Sequence, residues 1–307
     1  TAYNTAPRNR IARLTVDGAL DPTFAPGAGA NDFINAVALT PAGQIVIGGG
    51  FTSFNGSSRR GVARLNSDGS LDANFNPGLG ADGTVWGLDV QLPNGQVVIG
   101  GDFATVNGEV RKYVARLTPD GAVDTTFNPA MPDGVINAVA IDNTGKVIIG
   151  GAFSTVNGVR RRSLARLNVD GSLDNTFNPG TGLDGPVLAI KIQTDNKILV
   201  GGSFTEFDLR SRKGIVRLNT DGSLDTTFNP GTGFDGTVYC LGLELSNGTN
   251  SYIYAGGLFS SYNDTRRLAL ARLFLTGELD TGFMDTAYNQ FAGFTTGQFT
   301  PELDPRS

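Results

Sequence analysis

The sequence predicts an all-β fold, a β-propeller of four-stranded blades, and three observations carry that expectation. The tripeptide Ala-Arg-Leu or Val-Arg-Leu recurs with its Arg at Arg13, Arg64, Arg116, Arg166, Arg217 and Arg272, at spacings of 51, 52, 50, 51 and 55. Each copy is followed by a turn and an Asp-x-x-Phe that ends at Phe24, Phe75, Phe127, Phe177, Phe228 or Phe283. Between the copies lie Gly-Gly-x-Phe segments ending at Phe51, Phe103, Phe153, Phe204 and Phe259. A period near 50 without helical patterning is the signature of radially repeated sheets.

One repeat reads as four short strands. Strand A is Ile34 to Leu39, strand B Gln44 to Gly48, strand C Val62 to Asn66 and strand D Ser70 to Phe75. Tight turns such as Pro93-Asn94-Gly95 and Asn143-Thr144-Gly145 join A to B. The D–A link is longer and rich in Gly and Pro, as in Asn76 to Gly80, which suits a chain leaving one blade's rim for the next blade's axis.

The C–D hairpin can be read residue by residue. With Ser67-Asp68-Gly69 as a three-residue turn and Gly69 in the left-handed position, Asn66 faces Ser70, Leu65 faces Leu71 and Arg64 faces Asp72. Every repeat then carries a cross-strand ion pair: Arg13–Asp21, Arg64–Asp72, Arg116–Asp124, Arg166–Asp174, Arg217–Asp225 and Arg272–Asp280. Such a pair contributes roughly 0.2–1 kcal/mol when exposed and costs far more to break when buried. Ala63, Leu65, Leu71 and Phe75 form the core face.

The pattern Ala-Arg-Leu-Asn-x-Asp-Gly-Ser-Leu-Asp-x-x-Phe-Asn-Pro-Gly with Gly-Gly-x-Phe resembles the delta-60 repeats of bacterial proteins, over residues 1–283. In layout it is similar to kelch propellers. The resemblance implies a propeller in large, often secreted or surface proteins, and it brings no catalytic residues.

Residues 1–24 read as a half-blade, followed by full units at 31–75, 82–127, 133–177, 184–228 and 235–283. The start of the chain, Thr1-Ala2-Tyr3-Asn4, aligns with Thr52-Ser53-Phe54-Asn55. Six blades are preferred, with the 284–307 tail supplying the missing A and B strands; five blades with an accessory tail or linker is the alternative. A segment of a longer array is the third arrangement. A chain that opens on Thr1 without a leader fits a mature secreted protein or a cut segment.

Composition excludes several classes. Lys+Arg 24 against Asp+Glu 29 argues against a nucleic-acid partner. No apolar run approaches the ~18 residues of a membrane helix. One cysteine, Cys240, permits no intrachain disulfide, and its alignment with Ala36, Gly87, Ala138 and Ala189 makes it a small core residue. The absence of histidine removes the commonest general base and zinc ligand.

Propeller topology puts the D–A and B–C links at one end. The B–C links are basic: Arg8 and Arg10, Arg59 and Arg60, Arg111 and Lys112, Arg160, Arg161 and Arg162, Arg210, Arg212 and Lys213, Arg266 and Arg267. They are candidates for binding an anionic glycan, a lipid headgroup or an acidic protein surface. The same charges would also keep edge strands from pairing. Asn31, Asp82, Asp133, Asp184 and Asp235 precede strand A and would ring an axial channel mouth, where they would hold a cation such as Ca²⁺ or simply make Asp-Gly turns. The C–D turns resemble the start of a calcium loop but lack its downstream Glu, and sit closer to the structural Asp-box turn of sialidase propellers. Asn55, Asn247 and Asn263 fit the glycosylation acceptor pattern and read equally as turns.

A catalytic site would sit where the repeat breaks. The breaks are Trp86, Asp89, Lys191 and Tyr239 near strand A, and Glu109, Glu206 and Asp208 in B–C links. Repeat drift accounts for them as well. The functional expectation is a non-enzymatic structural or adhesive module, extracellular or at the cell surface, with a protein or anionic-glycan partner on the basic-link face, no cofactor and no transmembrane segment. The alternative is a carbohydrate-active hydrolase or lyase using Glu109, Glu206 or Asp208.

Overall fold

The computed structural model describes residues 2–3, 6–7 and 9–284. Residues 285–307, to which ring closure was assigned, and Arg8 lie outside the described residues. The chain forms two compact units, one of residues 1–160 with 165–174 and one of 161–164 with 175–307. Among the described residues no helix is long and apolar enough to cross a membrane.

The first unit holds the N-terminal half-repeat and repeats 1 to 3. Repeat 1 pairs strand A (Ile34–Leu39) with B (Ile45–Gly49) and B with C (Val62–Leu65), all antiparallel. Repeat 2 follows with Thr84–Val90, Val97–Asp102 and Val114–Leu117, and repeat 3 with Val135–Ile141, Val147–Ala152 and Leu164–Leu167. The second unit holds repeat 4, Val187–Ile192, Ile198–Gly202 and Ile215–Leu218, and repeat 5, Thr237–Ser246, Thr249–Leu258 and Leu270–Phe274. The order within each sheet is A-B-C.

The C–D register is the expected one: Leu65 bridges Leu71, and the Asp72 N–H donates to the Arg64 carbonyl at 2.9 Å. Strand D, however, is that single bridge and no more. Oδ1 of Asp72 accepts the Asn74 N–H at 2.9 Å and turns the backbone out of the ladder, an Asx turn repeated at Asp124 and Asp225. Strand A carries a bulge in every repeat, with Asn35, Trp86, Asn137, Leu188 and Tyr239 as the extra residue. Each B–C link folds into a two-residue hairpin of its own, as at Ser53–Phe54 with Ser57–Ser58. Ala2–Tyr3 with Ala6–Pro7 is the same hairpin, which supports the alignment of Thr1 with Thr52.

The core lies between consecutive repeats. Val46 and Val62 of repeat 1 pack with Val85, Leu88 and Val97 of repeat 2, and Ala189 and Leu199 of repeat 4 with Val238 and Leu241 of repeat 5. Gly48 is required here, because a Cβ on it would lie 2.7 Å from Val85. This geometry also explains an exposed patch. Leu88 and Val90 are 8% and 6% exposed, whereas the equivalent Val37 and Leu39 are 57% and 63%. The half-repeat ahead of them offers no strand A or B among the described residues.

The same logic corrects the reading of Cys240. It holds the predicted register, opposite Gly256, yet it is exposed. Its counterpart Gly87 is buried because residues 137 and 138 of the next strand A pass within 3.0 Å of where its Cβ would be. Strand A of repeat 5 has no following repeat among the described residues. Cys240 should therefore react with a water-soluble thiol reagent at one equivalent per chain without denaturant; a thiol that labels only after unfolding overturns this placement.

All six Arg–Asp pairs form, at 2.7–2.8 Å. The guanidinium also reaches into the next repeat. Nη1 of Arg64 donates to the Pro119 carbonyl at 2.5 Å, Arg116 to Val169 at 2.8 Å and Arg217 to Leu275 at 2.6 Å, and Arg13 bonds the Ser67 carbonyl. Those carbonyls belong to the following C–D turns. Arg116→Leu should lower the unfolding free energy by about 3–5 kcal/mol, since it strands a buried Asp124. Arg13, whose side chain is 37% exposed against 4% for Arg116, should cost no more than about 1 kcal/mol when changed to Leu. Urea unfolding of the two variants checks the contrast.

Candidate functional site

The D–A and B–C links meet as expected. Ala30 bridges Phe54, Ala81 bridges Val106, Leu183 bridges Phe207 and Phe234 bridges Tyr262. The Asp residues before strand A make this junction. Oδ1 of Asp82 accepts the N–H groups of Ala104 and Thr105 at 2.8 and 2.9 Å. Asp133 does the same for Ser154 and Thr155, Asp184 for Thr205 and Glu206, Asp235 for Ser260 and Ser261, and Asn31 for Thr52 and Ser53. Burial pushes the Asp82 carboxyl up, but the two N–H donors outweigh it and hold the group below its ordinary value. At Asp133 the Thr155 N–H is the largest influence, and it too lowers the pKa.

These carboxylates are therefore caps of the link hairpins. Among the described residues no three His, Cys, Asp or Glu side chains come together to hold a metal. The C–D turn Asp residues are likewise spent locally: Asp68 accepts the Ser70 N–H and hydroxyl at 2.9 and 2.6 Å. Asn55, Asn247 and Asn263 sit in turns at φ of 49°, 51° and 48°.

The basic links divide into two positions. At the first, Arg59, Arg111, Arg212 and Arg267 fold Nη1 back onto the preceding carbonyl at 2.7–2.8 Å. Arg111 also pairs with Glu109 at 3.1 Å, and Arg267 is buried, with Nη2 donating to the Thr281 carbonyl at 3.3 Å. Burial and then the nearby Arg210 charge lower the Arg212 pKa. At the second position Arg60, Lys112 and Lys213 are exposed and make no ion pair among the described residues. Arg10, Arg160, Arg210 and Arg266 are exposed, while Arg161 and Arg162 are half-buried. Half of the candidate ligand-binding set is thus built into the links, and half faces solvent.

Several of the repeat breaks have local partners. Oδ1 of Asp208 accepts the Thr181 N–H at 2.8 Å, the same loop role that Asn55 and Asn107 play for Ala28 and Leu79. Glu109 is tied to Arg111, and Glu206 is exposed. Trp86 stacks on Phe33 at 6.1 Å, and Asp89 accepts the Ile141 N–H at 2.8 Å. Lys191 is exposed and Tyr239 is a bulge residue.

Sequence reasoning missed the second partners of the ion pairs. Oδ2 of Asp72 also takes Gln44 at 2.7 Å, Asp124 takes Gln96, and Asp174 and Asp225 take Lys146 and Lys197 at 2.9 and 3.0 Å. A Gln or Lys 28 positions before the Asp in repeats 1 to 4 was the available signal. It also missed the Asp caps, which a hydroxyl residue just after Gly-Gly-x-Phe would have suggested.

The repeats match the model of a family described as a domain of unknown function (DUF5122) beta-propeller, over residues 1–24, 41–75, 92–127, 143–177, 193–228 and 253–283. The chain belongs to this family. The matched segments run from the A–B turn to the Phe of D, so Trp86, Asp89, Lys191 and Tyr239 all fall outside them. A crystal structure of a protein of unknown function from Bacteroides caccae is 16% identical, covers 81% of this chain and 80% of its own, and superposes with a TM-score of 0.45. No curated protein matches the chain.

The lowered carboxylates set an acid limit. Burial raises the Asp72, Asp124 and Asp225 carboxyls, and the hydrogen bonds from residues 74, 126 and 227 with the Arg64, Arg116 and Arg217 guanidiniums more than reverse it. The unfolded chain then binds more protons than the folded one near pH 4, so this stability is present above the ordinary carboxylate pKa of about 3.9 and is lost as pH falls below it. Thermal midpoints should be flat from pH 8 to 5 and drop steeply below about pH 4.

Proposed function

We propose that the chain is a non-enzymatic recognition or assembly module that binds through its B–C links. The observation that carries this is the state of the charges there. The carboxylates are consumed as caps, while Arg60, Lys112 and Lys213 are exposed and without an ion pair among the described residues. An acidic chain with a net charge of −5 thus carries exposed cations on its B–C links that no ion pair among the described residues neutralises. That arrangement suits an anionic glycan or an acidic protein surface, with attraction that weakens as salt screens it.

The repeats are of the delta-60 type in this reading, on the strength of the Ala-Arg-Leu-Asn-x-Asp-Gly-Ser-Leu-Asp pattern, and an extracellular or cell-surface location follows from that resemblance. A structural, adhesive role accords with the employment of Asp208 and Glu109 in the links. Binding of dextran sulfate measured by calorimetry tests the proposal. Saturable binding at 50 mM NaCl should weaken at least tenfold at 500 mM, and weaken similarly when Arg60 and Lys213 are changed together to Ser. Binding that is absent at 50 mM, or indifferent to the double change, refutes it.

A further inference from the structure

Repeat 2 differs from its neighbours at one place on the link end. A pocket of about 250 Å³ opens there, lined by Asp82, Gly83, Asp102, Phe103, Lys112 and Tyr113. Asp102 and Lys112 are exposed and make no ion pair among the described residues. Phe103 is buried, and Oδ1 of Asp82 is held by two N–H groups. The positions equivalent to Asp102 and Tyr113 are Gly50 and Gly61, Ala152 and Ser163, Ser203 and Gly214, and Leu258 and Ala269. Only repeat 2 joins a carboxylate to a phenol.

Tyr113 is held in an unfavourable backbone. Its φ is +66°, a left-handed value that this position keeps in every repeat, at +74° in Gly61 and Gly214, +63° in Ser163 and +61° in Ala269. The ring also packs against the core cluster that contains Val114, Phe127 and Ala130, which fixes its position.

We propose that this pocket binds a single neutral pyranose ring of a glycan. The Asp102 carboxylate accepts hydrogen bonds from sugar hydroxyls, the Lys112 ammonium donates to a sugar oxygen, and Tyr113 offers apolar surface to ring C–H groups. Asp82, Asp102 and Lys112 leave the rim with one net negative charge, which disfavours a sulfated or carboxylated sugar. The volume lies below the ~300–1,000 Å³ of pockets for larger ligands and suits one ring. The proposal goes beyond polyanion binding by the link cations and does not depend on it.

The test uses the full chain and three probes, methyl β-D-glucopyranoside, methyl β-D-galactopyranoside and methyl α-D-mannopyranoside, by saturation-transfer NMR and calorimetry. At least one should bind saturably and should still bind at 500 mM NaCl, where dextran sulfate is released. Asp102→Asn and Tyr113→Gly should each weaken that glycoside about tenfold or more, the first by loss of a charge-assisted hydrogen bond and the second by loss of the aromatic wall. Circular dichroism should report an unchanged β fold, and the exposed Asp102→Asn variant keeps the test valid if Tyr113→Gly unfolds. No saturable glycoside, or a wild-type affinity in Asp102→Asn, overturns the proposal, whatever dextran sulfate does.

Discussion

The Arg–Asp pair of the C–D hairpin is the constraint on which the repeats depend. A charge pair taken out of water is stabilising only when its remaining donors and acceptors are met. Here they are met from four directions. The Asp takes the Arg Nε and a Gln or Lys from strand B on one oxygen, and a backbone N–H of its own turn on the other. The guanidinium lies over the repeat's Phe, 5.0 Å from the ring centre at Arg64 and Phe75, and gives its last strong bond to the next repeat's turn. The backbone completes the seam: the Asn76 N–H donates to the Asp120 carbonyl and Asn229 to Thr276, each in that same following turn. Apolar packing between strands supplies the bulk of the cohesion, and these bonds fix the register in which it occurs.

Much of this was legible in the sequence because it repeats. Arg64 and Asp72 are eight apart in every copy, and a three-residue turn leaves them no register but face to face. The shortness of D was not legible, because Asp72 reads alike as a strand partner and as an Asx-turn residue. The bulge at Trp86 and Tyr239 was hidden because strand A looks evenly alternating. Cys240 shows the limit of alignment: register follows from sequence, while burial depends on what stands next to the strand.

The link end shows a similar division. Composition identified the basic clusters, but it could not separate Arg59, folded onto the Ser58 carbonyl, from Arg60, which faces water. The difference lies in the hairpin geometry of the link. Likewise Asp82 reads on paper as a cation ligand or as a turn residue, and in space its Oδ1 caps a link hairpin. What remains for recognition is the part of the surface that the fold does not consume.

Repeat 5 departs from the others in a way that bears on how such chains grow. Its Arg272 bonds no neighbouring turn among the described residues; it lies between Tyr252 and Phe283, at 4.4 and 4.6 Å, with Tyr254 beside it bonded to Glu244. Tyr252 stands where the other repeats carry Gln or Lys. An internal repeat has one outward donor and one inward acceptor, so a duplicated copy spliced between two others finds both of its complements already in place. Gene duplication can lengthen the row from its middle without any compensating change. At repeat 5 the two aromatic rings stand where, among the described residues, that outward bond is missing.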